Sequence, residues 1–381
     1  MQAVNENYSD VIIVGAGPAG ATLGYELARR GTKVVILEKE RLPRYKCCAG
    51  VVSVKSANLL GCDISPVTHR IINGARITYK LGSEFIKRYD SPIGYMVMRD
   101  EFDQFLTSRA QNAGAILCEN QKVCSLQATE GGVEVSTTRD SFSGKILIGA
   151  DGATSIVAKT FDLAPKRQAA VAIEAEVLVS EEDISRWDSL AGLDLGIARG
   201  GYGWVFPKRH ILSVGVGAPV QHAKDLRAYH QRLLKSLNLR KGDIAKLKGH
   251  LVPMYQGKTP VQRGRILLLG DAAALVDPMS GEGILNAIKS AQLAAPVIAT
   301  QLARPYIDLC EYQQAVETDI LPDLRIAKRM HRLFTWFPHT SFLLLSKSNH
   351  AWRAGAGVAS GRRTYVDIRN RLGPFRFLLG L

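Results

Sequence analysis

The sequence predicts an α/β fold, opened by a dinucleotide-binding β-α-β unit and closed by a basic, aromatic tail. Three observations predict it. A buried apolar run, Asp10 to Val14, leads directly into Gly15-x-Gly17-x-x-Gly20. That is the glycine pattern of a strand-to-helix turn that takes a pyrophosphate. Strand-like and helix-like runs then alternate through the middle of the chain. From Leu321 onward the composition shifts to eleven Lys or Arg against two acids, Asp323 and Asp367, interleaved with Phe334, Trp336, Phe337, Phe342 and Leu343 to Leu345.

In the opening unit, Ala21 to Arg30 reads as a helix with Leu23 and Leu27 on one face and Gly31 as its stop signal. Lys33 to Leu37 is a second buried strand, ended by Glu38. The glycines permit a tight turn, close approach of backbone to a pyrophosphate, and close helix–strand packing. The helix N-terminus adds partial positive charge for the phosphates. Glu38, 18 residues beyond Gly20, stands where a carboxylate accepts from ribose hydroxyls.

Further along, Glu101 to Ala113 has Phe102, Phe105, Leu106 and Ala110 at helical spacing, with Gly114 after it. Glu130-Gly131-Gly132 is a turn between strand-like runs at Val123 to Ala128 and Val133 to Thr137. Lys145 to Ala150 is a buried strand leading into Asp151-Gly152, and Ala172 to Val179 alternates like a half-buried strand. Tyr202 to Phe206 and Leu212 to Val216 flank Pro207-Lys208-Arg209-His210, a hairpin signal. Arg265 to Leu269 runs into Gly270-Asp271, and Gly283 to Ala303 is a long Ala-rich helix. Gly149-Ala150-Asp151-Gly152-Ala153-x-Ser155 and Gly270-Asp271-Ala272-Ala273, with Asp277-Pro278-x-x-Gly281-x-Gly283 after it, are strand-end loops of the kind that carry ligand contacts. An ordinary turn explains any one of them. Three such turns in this order argue for one extended dinucleotide.

Composition excludes other classes. Hydrophobic residues are 46% and charged residues 22%, an ordinary globular balance that rules out wholesale disorder, collagen and coiled coil. The 381 residues allow two or three domains or one interleaved one. Lys plus Arg is 49 against 35 Asp plus Glu, a net charge of +14 that favours an anionic partner: a phosphate cofactor, nucleic acid or an anionic membrane. No nucleic-acid motif accompanies the charge, so none is expected to bind. The six cysteines have no CxxC and no Cys/His ligand spacing, so no metal site is expected and a reducing, cytoplasmic compartment fits best. The first ten residues lack the basic start of a signal peptide, and no run of 18 residues is apolar enough to span a bilayer.

The chain resembles FAD-binding proteins of the para-hydroxybenzoate hydroxylase type along Asp10 to Glu38, Arg99 to Asp103 (R-x-x-F-D), Gly149 to Ser155 and Gly270 to Gly283. The resemblance implies FAD as cofactor. It also implies a Rossmann-like FAD-binding domain interleaved with a mixed β-sheet substrate domain and a helical C-terminal region. The expected division is 1–70, 95–160 and 250–300 for FAD, 71–94 and 161–249 for substrate, and 301–381 for the C-terminal helices. The implied cofactor contacts are Gly15, Gly17, Ala19, Gly20, Glu38, Lys39, Cys48, Ala49, Gly50, Arg99, Asp151, Asp271, Gly281, Gly283 and Ile284. Asp271 would meet the phosphate–ribityl region, Arg99 would lie near the cofactor, and Asp151 would be mainly structural. Backbone N–H groups where Gly281 and Gly283 open the long helix favour negative charge on a reduced flavin ring. A single GxGxxG leaves no second Rossmann domain for NADPH visible.

Two further segments resemble the geranylgeranyl reductase family. Pro43-Arg44-Tyr45-Lys46-Cys47-Cys48-Ala49-Gly50 is similar to its P-x-x-K-x-C-G-G stretch, with Cys48 at the family cysteine, Cys47 at a variable position and Ala49 in place of the first glycine. Tyr202-Gly203-Trp204-Val205-Phe206-Pro207-Lys208, followed by Gly215 and Gly217, is similar to its Y-x-W-x-F-P motif. The resemblance implies a reductase that saturates C=C bonds of a geranylgeranyl or polyprenyl chain on a lipid, diphosphate, quinone or chlorophyll-type molecule. Electrons would come from NADPH or a ferredoxin-like donor. Cys48, Tyr202 and Trp204 are the expected catalytic residues, and Phe206 and Pro207 the expected substrate contacts.

The residue types fit that chemistry. Strand alternation puts Tyr202, Trp204 and Phe206 on one face, an aromatic wall for a chain with no hydrogen-bonding groups along most of its length. Its π faces can also stabilise positive charge on a tertiary carbon. Plain hydrophobic core is the alternative reading of that strand. An isolated alkene accepts hydride poorly, so a proton must arrive with it or before it. Cys48 is either a proton donor or redox partner at the flavin, or a small buried residue. Cys62, Cys118, Cys124 and Cys310 read as structural, and His210 and His331 as surface histidines. The tail is either a peripheral membrane surface for a lipid substrate or a helical domain with an exposed basic face. Rival readings are a flavin monooxygenase that adds oxygen, a halogenase whose W-x-W-x-I-P stretch is a distant relative of Y-x-W-x-F-P, and a non-enzymatic FAD-holding scaffold.

Overall fold

Val11, Ile12 and Ile13 expose none of their surface, as a strand covered on both faces requires. In a computed structural model, which describes residues 7–163, 170–257 and 260–373, they belong to the strand Tyr8–Val14. That strand lies inside an eight-stranded sheet and runs parallel to Val34–Leu37 and to Ser141–Gly149. Ile116–Cys118 and Ile266–Leu268 extend the sheet on either side, also parallel. The hairpin Val123–Ala128 and Val133–Thr137 adds antiparallel strands. Helix Pro18–Ala28 starts three residues before the expected Ala21, because proline fits the first helical position, where its missing N–H costs nothing. It packs between helices Arg99–Asn112 and Ile284–Leu302.

A second, seven-stranded sheet has the order Ile244–Val252, Ala170–Leu178, Ile211–Pro219, Tyr202–Pro207, Leu190–Leu195, Gly74–Tyr79, Glu84–Arg88. All its pairings are antiparallel except Leu190–Leu195 with Gly74–Tyr79. One face buries Ala175, Val177, Val205, Val214 and Val216 against Tyr229 and Leu233 of helix Leu226–Ser236. Strand alternation turns the intervening residues to the opposite face. A three-stranded sheet (Val51–Ser53, Gly94–Met96, Arg70–Ile72) completes the β structure.

The tail is helical, in the segments Cys310–Asp319, Leu321–Trp336, Pro338–Lys347, Asn349–Ala359 and Tyr365–Arg371. Phe342 and Trp352 pack on Ala75 and Ile77 of the seven-stranded sheet, and Trp352 Nε1 donates to Arg88 O at 2.8 Å. Among the described residues, no helix is long and apolar enough to cross a membrane.

Candidate active site

A cavity of about 800 Å³ lies between the carboxyl ends of Tyr8–Val14 and Ser141–Gly149 and the face of the seven-stranded sheet opposite helix Leu226–Ser236. Ligands bind at that end of an open parallel sheet because loops and helix N-termini converge there. The cavity wall includes Gly15, Gly17, Ala19, Glu38, Lys39, Cys48, Ala49, Arg99, Asp151, Asp271, Gly281, Gly283 and Ile284, together with Tyr202, Trp204 and Phe206. Gly20, Gly50 and Pro207 lie outside it. A Cβ on Gly20 would sit 1.9 Å from Gly15 O, and one on Gly50 would sit 2.2 Å from Val97 O. These two glycines therefore serve close backbone packing. Pro207 is buried at the end of its strand, paired with Leu212.

The nucleotide end presents backbone. Gly15 takes a φ of +103°, and a Cβ there would meet Ala150 O at 2.5 Å. At Gly17 an added Cβ would meet nothing within 4 Å, so this residue faces open cavity at the start of Pro18–Ala28. Glu38 is buried, and its carboxylate accepts from Ala16 N at 3.0 Å and Glu40 N at 3.2 Å. Arg44 lies 3.4 Å from Glu38 and donates to Asp103 Oδ2 at 2.9 Å. Asp103 is fully buried and also receives both arms of Arg99, at 2.9 and 3.0 Å. The carboxylates beside Arg44 and Arg99 raise both guanidinium pKa values against the opposing effect of burial. Arg99 in turn faces the Cys48 side chain.

In the middle of the cavity, Asp151 Oδ2 accepts from Ile156 N at 2.7 Å, while its Oδ1 is buried with no partner among the described residues. Burial pushes the Asp151 and Asp271 carboxyls upward. The loop before helix Ile284–Leu302 is held from several directions. Asp277 accepts from Met279 N at 2.7 Å, Ser280 Oγ at 2.9 Å and Tyr365 Oη at 2.8 Å. Tyr202 Oη donates to Ser280 O at 2.5 Å. Gly281, at φ +72°, leaves room there, because a Cβ would come within 2.9 Å of the Tyr202 hydroxyl.

The opposite wall presents side chains. Tyr202, Trp204 and Phe206 stand in a row with ring centroids 6.1 and 6.5 Å apart. Gly217, Gly215 and Ser213 are their partners on the next strand. The Trp204 indole lies over Gly215, where a Cβ would be 2.0 Å from the ring. Beyond the glycines come Ala172, Glu174 and Glu176, then His250, Lys248 and Lys246. His250 Nδ1 is 3.0 Å from Cys47 Sγ. Burial, with Lys46 and Arg99 nearby, lowers the His250 pKa to about 4, and burial pushes the Cys47 thiol up to about 12.

Several cavity residues have only a weak sequence signal or none. Arg44, Tyr45 and Lys46 lie in the stretch already marked by Cys48. His250 arrives through pairing of Ala172 with His250 across two strands, which no local motif announces. His331, expected at the surface, lines the cavity with Nε2 2.9 Å from Gly200 O, whereas His210 is exposed as expected. All six cysteines are free, and no group of metal-ligating side chains occurs among the described residues.

These features fit FAD. Gly17 leaves room for a pyrophosphate at a helix start, Glu38 sits at the ribose position, and Asp151 offers a buried unpaired acceptor. Residues 8–305 match the FAD binding domain family. Among relatives, the digeranylgeranylglycerophospholipid reductase of Methanothrix thermoacetophila is 30% identical over 76% of this chain and 77% of its own length. The chloroplastic geranylgeranyl diphosphate reductase of Arabidopsis thaliana is 28% identical over 85% of this chain and 74% of its own. A geranylgeranyl bacteriochlorophyll reductase-like structure from Thermoplasma acidophilum superposes with a TM-score of 0.79 at 23% identity, covering 96% of this chain and 98% of that one. A flavin-dependent brominase shares the fold at a TM-score of 0.76 and 20% identity, covering 97% and 99%. The chain belongs to the geranylgeranyl reductase family and is an FAD-dependent oxidoreductase.

Proposed function

We propose that this protein saturates C=C bonds of a geranylgeranyl or polyprenyl chain carried on a lipid, diphosphate, quinone or chlorophyll-type head group. The observation that carries the reading is the row Tyr202, Trp204, Phe206 on the cavity wall, opposite the glycine loops and beside Cys48. Bound FAD, once reduced by NADPH or a small redox protein, supplies hydride. The chain's own residues do the rest. The ring faces hold an apolar chain and stabilise positive charge on a tertiary carbon. Arg99 and Asp103 fix the floor beside Cys48, which holds a proton at Sγ for the second alkene carbon. The glycine loops, Glu38, Lys39, Arg99, Asp151, Asp271 and Ile284 hold the cofactor. Gly20 and Gly50 support that grip through packing, and Pro207 ends the aromatic strand. The division into an FAD unit (1–70, 95–160, 250–300), a substrate unit (71–94, 161–249) and a C-terminal cap (301–381) accompanies this reading.

The protein works in the cytoplasm against a membrane surface. Trp336, Phe337 and Leu344 are 64%, 56% and 51% exposed. They follow closely on His331 and Thr335, which lie at Gly200 on the cavity wall. A lipid chain entering there passes from bilayer to cavity beside them, and the basic residues of the tail favour anionic headgroups.

The test incubates reduced protein with geranylgeranyl compounds of different head groups and reads product mass. A gain of two hydrogens per double bond, with a rank order among head groups, is expected. Unchanged substrate with every head group contradicts the reading.

A further inference from the structure

Two carboxylates and a lysine lie buried where a hydrophobic substrate wall has no use for charge. Glu174 and Ser213 expose none of their surface, Lys208 exposes 1% and Glu176 exposes 5%. The strand register puts Glu174 level with Trp204 through Gly215, and Glu176 level with Phe206 through Ser213. The acids therefore continue the substrate face. Glu174 Oε1 accepts from Cys48 N at 3.3 Å. Its other oxygen, Oε2, faces Ser213, whose hydroxyl lies beside it and favours the charged form. The Lys208 side chain runs beneath the cysteine loop, with its Nζ 2.9 Å from where a Cβ on Gly50 would be. Tyr45, Cys47, Lys246 and Asp100 face the cluster from the adjoining elements.

One buried cation, Lys208, faces two buried acids, with the exposed Lys246 also opposing at Glu176. Burying a second carboxylate charge is costly, which favours a proton within the cluster. Burial is the largest influence on both acids and moves both pKa values upward, with Lys208 opposing it. The fold retains this group under the loop that carries Cys48.

We propose that Glu174, with Glu176 and Lys208, is the proton reservoir that recharges the Cys48 thiol during alkene reduction. The inference rests on the function proposed above. In each turnover the alkene π bond breaks, and one carbon gains hydride from the two-electron-reduced cofactor. The other carbon takes the Cys48 Sγ–H proton. The thiolate regains a proton from the Glu174 carboxyl, and Glu174 is refilled from solvent by way of Glu176. The cofactor's two electrons end in the new C–H bond, and an external two-electron reductant restores them. Glu174 acts through Cys48, so it is a positioning and relay residue.

The test uses holoenzyme, with dithionite as reductant and a geranylgeranyl lipid under anaerobic conditions, and compares wild type with Glu174→Gln and Glu174→Asp. Glutamine keeps an acceptor for Cys48 N but has no proton to give. Multiple-turnover rate is expected to fall on the order of 100-fold in Glu174→Gln, with the first turnover slowed far less and partial rescue by aspartate. Independently of substrate, the infrared difference spectrum of wild type against Glu174→Gln is expected to show the carbonyl band of a protonated carboxyl lost in the variant. A band unchanged by Glu174→Gln, or equal losses in first and later turnovers, overturns the reservoir while leaving the reductase reading intact. A wild type that retains the band but reduces no alkene overturns the reductase reading and the reservoir's role with it.

Discussion

The loops Gly15–Gly20 and Gly270–Gly283 present mainly backbone to the cavity, whereas the seven-stranded sheet opposite presents side chains. Each wall uses glycine differently. On the loop side, Gly17 is open so that a ligand can approach, with nothing within 4 Å of an added Cβ. On the sheet side, Gly215 is already covered by the Trp204 indole, and its missing side chain shapes an aromatic surface. The first wall binds a charged, invariant cofactor through oriented N–H groups. In the proposed function the second holds an apolar chain with no hydrogen-bonding groups along most of its length, relying on shape and on ring faces. Loss of one wall should therefore leave the other working.

The sharpest way to break this comparison is within the loop wall itself. Gly20→Val drives a side chain into Gly15 O, 1.9 Å from the Cβ position, and is expected to cost more than about 4 kcal/mol and yield no folded holoprotein. Gly17→Val, at an extended φ of −79°, keeps the apoprotein's melting temperature. It is expected to weaken FAD binding on the order of 100-fold, about 2.7 kcal/mol, read by flavin fluorescence. Equal effects of the two substitutions would remove the distinction between a packing glycine and a binding glycine.

Next in size is Asp103→Asn. It leaves Arg44 and Arg99 without the fully buried carboxylate they share. A loss of about 3–5 kcal/mol is expected from the broken buried ion pairs, measured by denaturant unfolding of the apoprotein. A loss below about 1 kcal/mol would mean that solvent or backbone replaces the pair.

Gly215→Val tests the sheet wall. The indole has to move, at an expected cost of about 1–3 kcal/mol for overpacking. FAD content should stay at the wild-type level while prenyl turnover falls at least about tenfold, since positioning is lost. Flavin loss in parallel with turnover would show that the two walls are one unit.

The most gradual effect concerns acid. His250 is held neutral, with a pKa of about 4 against an ordinary 6.5. The unfolded chain binds its proton first, so this histidine's contribution to stability is present above pH 6.5. It declines as pH falls toward 4, by at most about 1.4 kcal/mol per pH unit. Melting temperatures across that window should be flatter in His250→Asn. The buried acids Glu174 and Glu176, with raised pKa values, act in the opposite direction and weaken the fold as pH rises through their range.

The loop wall was legible in sequence because it is local. Gly15, Gly17 and Gly20 lie within six residues, and the strand, helix and Glu38 around them fall in one supersecondary unit. The aromatic row was legible because a single strand carries it. The acid cluster and His250 were not. Register across Ala170–Leu178, Ile211–Pro219 and Ile244–Val252, strands far apart in sequence and without a shared motif, brings His250 to the cavity and the acids to their place beside the Cys48 loop. Glu174 and Glu176 fall in a run read only as a half-buried strand, with nothing local to show which face turns toward the cysteine loop. His331 was misplaced for a related reason: its helix is basic and amphipathic, and only the tertiary contact with Gly200 turns it inward.

The most direct test of the account is anaerobic single turnover. The yellow protein is reduced chemically and mixed with a geranylgeranyl substrate, and flavin absorbance is followed alongside product mass. The account predicts reoxidation without oxygen, matched by two hydrogens gained per flavin reoxidised. Flavin that stays reduced until air is admitted, followed by oxygen in the product, or by halogen when halide is supplied, would contradict it.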